Sequence, residues 1–329
     1  MTVRLRPATT PAAPVRAATA AAPGYRTDRL RLRHLRLLEL VARHGSLGGA
    51  ARELGVSQPA ATLLLRELET VFGSRLVARG PRGGRLTDAG ALALERLAIA
   101  LTSVARAIEA ARTPGDPPVV RVGCVQVAGV GALPAALARL ERANAPLRLQ
   151  VQEGRARELV ASLAAGQLDC VIGWMDESVA DALPIDELDI RPLGFGRMQV
   201  VAARTHPLAR RRSVPVAELA RWRWIVPRPE SRTHAAFVRL FVANGMAAPP
   251  VAVECPALHT MLHLVAATRF LAVAPDAAVR AYARRGAIAP LAGPALDLGR
   301  DQVSVITRRD GAGLPAVARL RDALLATAR

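Results

Sequence analysis

The strongest periodicity in the chain lies in its first third. Between Leu30 and His44, apolar residues recur at Leu32, Leu35, Leu37, Leu38, Val41 and Ala42, with Arg31, Arg33, Arg36 and Arg43 on other faces. Spacing of this kind predicts an amphipathic helix. The next stretch, GSLGGAARELGVSQPAATLLLRELE from Gly45 to Glu69, predicts two more. Ser46 caps a short helix running through Glu53, and Gly55 supplies a left-handed stop, for which a residue without Cβ is the low-cost choice. Ser57 caps the second helix, with Pro59 in its first turn, where a missing N–H costs nothing. Ala61, Leu65, Leu68 and Phe72 then form a core-facing stripe, which leaves Ser57, Gln58, Thr62 and Arg66 on the outer face. Two helices joined by a glycine-containing turn suit a helix-turn-helix, which sets one helix in a DNA major groove. They also suit an ordinary αα-hairpin in a helical core.

From Arg75 to Leu86, two short strands are predicted around a Gly/Pro turn, with Arg79, Arg82 and Arg85 near its tip. Such a wing reaches phosphate or minor groove; a solvated charged hairpin is the other reading. Thr87 caps a long helix to about Arg112. Its apolar residues Leu92, Leu94, Leu97, Ile99, Leu101, Val104 and Ile108 exceed what one intramolecular face needs, which predicts a dimerisation helix. Thr113–Pro118 reads as a hinge.

Beyond the hinge the pattern alternates. Strands are predicted at 119–122, 147–153 and 170–174, with helices at 132–144 and 155–165. A second unit of the same kind begins near Gly196, with strands at 198–203, 224–226, 250–254 and 271–275. Its helices fall at 215–220, 232–244, 258–267 and 276–285. A strand at 302–307 and a helix at 314–328 return to the first unit. Alternation of this kind implies a parallel sheet with covered faces, and ligands then lie at the carboxyl ends of its strands. Gly123–Gln126 and Gly173–Met175 fall there.

Composition narrows the class. The net charge is +18, and every basic residue is Arg, which we attribute to coding composition. The distribution says more: residues 1–112 carry 18 Arg against 8 acids, and residues 113–329 carry 27 against 19. A basic segment holding a helix-turn-helix pattern is the footprint of phosphate binding. Cys124, Cys170 and Cys255 are far apart and odd in number, without metal-ligand or disulfide spacing. A reducing cytoplasm fits them, and no cofactor or metal is expected. No apolar run reaches the roughly 18 residues a membrane span requires. Residues 1–24 are Pro/Ala-rich, basic and aperiodic, which predicts a disordered tail without a signal-peptide core.

The ordered set GSLGGAARELGVSQPAAT, LRELE, the arginine wing, LTDAG and a long helix resembles the LysR-type family of bacterial transcriptional regulators across roughly 80 residues. The segments LDCVIGWMD, VVAARTHPLA, RWRWIVP and VEC…FLAVAP resemble its effector domain more distantly. The resemblance implies an α+β multidomain chain. It comprises a winged helix-turn-helix (25–87), a dimerisation linker helix and hinge (88–117), and a periplasmic-binding-protein-like α/β effector domain (118–329) of two Rossmann-like subdomains. Subdomain I covers about 118–195 and 296–329, and subdomain II about 196–295. It also implies double-stranded operator DNA, a small-molecule effector, a second copy of the chain as dimer or tetramer, and RNA polymerase as partners, with no membrane.

Carried over by position, Ser57, Gln58, Pro59, Ala60, Thr62, Leu63 and Arg66 face the groove, and Arg79, Arg82 and Arg85 meet the backbone. Leu63 departs from the family, which places a polar or basic residue there. The effector is expected near Cys124, Val125, Gln126, Trp174, Arg228, Ser231, His259 and Thr260. Trp174 serves as a stacking wall and Arg228 as a carboxylate clamp. Hydroxyl residues common at Cys124 and Pro256–Ala257 in relatives are absent here, and Cys124 reads as a redox thiol or a buried small hydrophobe. Two other readings stand beside the regulator: a DNA-binding domain fused to an enzyme, and a molybdate-type winged-helix regulator. The absence of a recognised catalytic set and the long βα alternation favour the LysR-type reading.

Overall fold

The computed structural model describes residues 30–80, 83–113, 115–174 and 185–327. The tail at 1–24, Arg82 and Met175 lie outside the described residues. Two units meet between Leu97 and Ala98, inside one continuous helix.

The first unit holds α1 (Leu32–His44), α2 (Leu47–Leu54), α3 (Gln58–Phe72), β1 (Val77–Gly80), β2 (Gly83–Leu86) and the start of α4 (Asp88–Arg112). Local chemistry sets the ends of α2 and α3. The Ser46 hydroxyl accepts from Gly49 N–H (3.1 Å) and the Ser57 hydroxyl from Ala60 N–H (3.3 Å); each such cap contributes about 1 kcal/mol. Gly55 takes φ 71°, where a side chain is strained. Leu37, Leu38 and Val41 of α1, Ala50 and Ala51 of α2, and Ala61, Leu65 and Leu68 of α3 close the core. The predicted stripes are corrected at their edges. Leu32, off the inward arc, and Phe72, in the last turn of α3, are exposed, as is Ala42. His34 and Leu40 fill inward positions instead.

The second unit is built on β3 (Val119–Cys124), β4 (Arg148–Glu153), β5 (Cys170–Trp174), β6 (Leu188–Ala203), β7 (Trp224–Val226), β8 (Val251–Glu254), β9 (Ala272–Pro275), β10 (Ile288–Pro290) and β11 (Arg300–Arg308). Its helices are α5 (Gln126–Val130), α6 (Ala132–Arg142), α7 (Ala156–Ala164), α8 (Val216–Leu219), α9 (Arg232–Val242), α10 (Leu258–Ala267), α11 (Asp276–Ala283) and α12 (Pro315–Leu325). Strand order in the main sheet is β10-β6-β11-β5-β3-β4, with β9 also on β6. β3 runs parallel to β4 and β5, as the βα alternation predicts. β11 is antiparallel to both β5 and β6, so the sheet is mixed rather than parallel. The cause is connectivity: β6 carries the chain out of the first lobe and β11 brings it back.

β6 is the shared spine. Residues 188–197 pair with β11, whereas 198–203 pair with β9 and β10. One core gathers around β3, β5, β11 and α12. Another gathers around Trp224, Phe237 and Phe241, whose rings pack edge-on or tilted at 5.0–5.6 Å between centroids. No helix among the described residues is long and apolar enough to cross a membrane.

Candidate nucleic-acid interface and ligand cleft

The outer face of α3 is built by what its inner face buries. With Ala61, Leu65 and Leu68 inward, Ser57, Gln58, Pro59, Leu63 and Arg66 are exposed and Ala60 and Thr62 half-buried. Thr62 Oγ1 donates to Gln58 O (3.0 Å), so its hydroxyl proton is spent within the helix. Gln58 and Arg66 have no side-chain partner among the described residues, which leaves both hydrogen-bonding groups for an external acceptor. Leu63 is 58% exposed, so its side chain is open to an external contact. A groove of about 640 Å³ runs beside this face, lined by residues that include Gly48, Arg52, Gln58 and Thr62.

Two contacts that the sequence pattern does not reveal hold α3 in place. Arg31 N–H donates to His34 Nδ1 (3.0 Å), so the ring proton sits on Nε2, which donates to Glu67 (2.9 Å). His34 is 1% exposed, and the bond ties α1 to α3. Glu69 Oε1 accepts from the N–H groups of Leu76 and Val77 (2.9 and 3.2 Å), which positions β1 against the end of α3. The hairpin registers Arg79 with Gly84 and Gly80 with Gly83. Arg85 lies on β2 and is exposed. Thr87 Oγ1 accepts from Gly90 N–H and donates to Arg75 O, coupling the hairpin to α4. Along α4 only Gly90 and Ala93 are buried, and Leu92 and Ile108 are 67% and 50% exposed.

In the second unit, the carboxyl ends of β3 and β5 lie side by side. Cys124 and Val125 are buried there, below the start of α5. Gln126 Nε2 donates across the cleft to Pro256 O (3.0 Å), in the loop after β8. On the other side, Arg232 pairs with Asp301 (2.6 Å), and its guanidinium lies over the Trp174 ring, 5.2 Å from the centroid. These contacts bridge the two lobes. Ser231 caps α9, accepting from His234 N–H (3.1 Å).

Other expected residues stand apart from this constellation. Arg228 is exposed and paired with Glu254 (3.3 Å). His259 meets the Tyr282 hydroxyl and the His263 ring on the exposed side of α10, and Thr260 is exposed beside it. Trp174 is buried under a cation rather than open as a wall. Arg232 and Asp301 were not singled out from sequence; 69 residues separate them, and no local pattern links them. Burial pushes the Cys124 thiol up, with nearby Glu153 adding to it, so it is a poor thiolate. Burial raises Cys170 further. No group of three or more His, Cys, Asp or Glu among the described residues is placed to hold a metal ion.

A capped helix pair with a two-stranded wing, joined by a long helix to a two-lobed mixed-sheet unit with a cleft, defines a winged-helix regulator with a ligand-binding domain. Residues 32–91 match the family model described as bacterial regulatory helix-turn-helix protein, lysR family, and residues 115–329 match the LysR substrate binding domain. The chain belongs to the LysR family and is a DNA-binding transcriptional regulator with an effector-binding domain. It is 33% identical over 297 residues to the HTH-type transcriptional regulator CbbR of Xanthobacter flavus, covering 89% of this chain and 86% of that protein. Its fold is similar to that of ArgP from Mycobacterium tuberculosis (TM-score 0.63, 19% identity, covering 90% of this chain and 96% of that one). It is also similar to full-length CbnR complexed with its target DNA (TM-score 0.55, 21% identity, covering 91% and 100%).

Proposed function

We propose that the outer face of α3 reads an operator in the major groove of double-stranded DNA. Gln58 pairs with adenine, Ala60 and the Thr62 methyl touch thymine, and Arg66 takes a guanine or a phosphate. Ser57 and Pro59 bring the helix start against the DNA backbone, where unpaired N–H groups favour an anion. Leu63 contributes a thymine-methyl or sugar contact in place of a polar one. Arg79, Arg82 and Arg85 of the hairpin neutralise phosphates. The observation that carries this reading is the exposure of Gln58 and Arg66 without internal partners, on a helix whose Thr62 hydroxyl is already satisfied.

Two copies pair through the exposed apolar positions of α4, as a dimer or a dimer of dimers. The effector is a small carboxylate entering the cleft above Cys124 and Val125, beside Gln126 and Trp174. There it competes with Asp301 for Arg232, which replaces Arg228 in the role of clamp. Ser231 borders the entrance; Arg228, His259 and Thr260 remain outside it. Binding there exchanges the Gln126 and Arg232 bridges for ligand contacts and so shifts the balance between lobe arrangements. The protein acts in the cytoplasm, where its DNA and RNA polymerase reside, and turns over no substrate.

Fluorescence anisotropy on DNA from the upstream region of its own gene tests the reading. Wild-type protein is expected to bind one footprint tightly, and Arg66→Ala to weaken it at least tenfold. Equal affinity of both for that DNA rejects the α3 assignment.

A further inference from the structure

A second cavity, of about 910 Å³, lies within the second unit, between residues 98–118 of α4 and the hinge on one side and the outer end of subdomain I on the other. It is separate from the ligand cleft, and neither the cleft nor the DNA reading depends on it. Its charges do not balance. Arg106 pairs with Asp169, Arg121 with Glu109 and Arg308 with Asp310. That leaves Arg112, Arg148 and Arg319 on the lining against one acid, Asp116, with no ion pair to any of the four among the described residues.

Two further observations point the same way. Arg319 Nε is buried without a hydrogen-bond partner among the described residues. Buried donors are rarely left unsatisfied, so the chain alone does not fully match this guanidinium. The start of α12 also faces the cavity, through Leu314, Pro315, Ala316 and Val317. It has no side-chain cap, and the N–H groups of Ala316 and Val317 find no acceptor among the described residues. Uncapped N–H groups at a helix start favour an anion. Arg319 sits one turn further along the same helix. Ile99, Ala107, Ala110, Leu168 and Leu314 add apolar surface to a wall that also holds Ser103 and Thr113.

We propose that this cavity binds a small organic anion, its carboxylate held by Arg319 and the start of α12 and its apolar body against the second half of α4. Because α4 is one helix running through both units, an occupant that fastens Ala98–Arg112 to subdomain I acts on the helix that carries the DNA-binding unit. The site is thus a second input, independent of the cleft.

Hydrogen–deuterium exchange on the full-length protein tests it, with octanoate as probe and octanol as the neutral control. Octanoate is expected to slow exchange in residues 98–118 and 311–320, with octanol binding at least tenfold more weakly. Arg319→Gln should weaken octanoate about tenfold or more, the loss of one charge-assisted contact, whereas Gln126→Ala in the cleft should not change it. Should Arg319→Gln fail to fold, Ala110→Trp fills the cavity without altering charge and should abolish the protection. Protection confined to residues 124–128 and 256–260, equal binding of octanol, or unchanged binding in the folded variants overturns the proposal. Protection of 98–118 that follows protein concentration and not octanoate also overturns it, since the face is then covered by a second copy.

Discussion

At the scale of single residues, the DNA-binding unit depends on positions that bear no obvious chemistry. Gly90 is one: a Cβ added there meets Leu76 O at 2.0 Å, a distance that no side-chain adjustment relieves because the neighbour is backbone. Gly90→Ala is expected to destabilise the first unit by about 2 kcal/mol or more, read as a lowered thermal midpoint; an unchanged midpoint contradicts the close approach of α4 to the backbone of Leu76, just ahead of β1. His206 is another. It is 1% exposed, its Nδ1 accepts from Leu208 N–H (3.1 Å), and its Nε2 has no hydrogen-bond partner among the described residues. Burial holds its pKa below the ordinary value of 6.5, although the nearby Arg269 backbone opposes part of the shift. The unfolded chain therefore takes up this proton first. The His206 contribution is intact above pH 6.5 and is lost as pH falls toward the depressed native value, by at most about 1.4 kcal/mol per pH unit. Urea titrations at pH 7 and pH 5 should show a smaller loss for His206→Gln than for wild type; equal losses reject this assignment.

At the scale of elements, what was legible in the sequence is what local chemistry decides. Ser46, Gly55 and Ser57 mark the ends of α2 and α3 because caps act within three or four residues, and α10 falls at its predicted bounds. The first half of β6 and all of β10 escaped notice, since their stability comes from partners about a hundred residues away. The cleft shows the same limit. Gln126 was legible as a residue at a strand's end, but its bond to Pro256 spans 130 positions, and no local pattern brings Arg232 over Trp174. The α4 helix carries its own prediction. Leu92 and Ile108 are exposed on a helix with two buried residues, which is a poor arrangement for a lone chain in water. Leu92→Glu with Ile108→Glu should shift sedimentation equilibrium toward monomer without lowering helix content. A dimer of undiminished strength places the interface elsewhere.

At the scale of the whole molecule, the chain joins a basic, capped reading unit to a two-lobed unit through one helix. Its net charge of +18 gives any DNA a favourable encounter, so affinity alone says little about recognition. Discrimination between sequences is the property that separates a reading face from a basic surface. On the proposed reading, discrimination belongs to Gln58 and Arg66 on α3, and non-specific attraction to the hairpin arginines. The most direct test is the ratio of affinities for operator and scrambled duplex, measured across salt concentrations for wild type, Gln58→Ala with Arg66→Ala, and Arg85→Ala. The α3 double variant is predicted to lose most of that ratio. Arg85→Ala is predicted to weaken both duplexes alike and lower the salt slope by about one. A ratio that survives loss of both Gln58 and Arg66 would contradict the claim that this face of α3 reads the DNA.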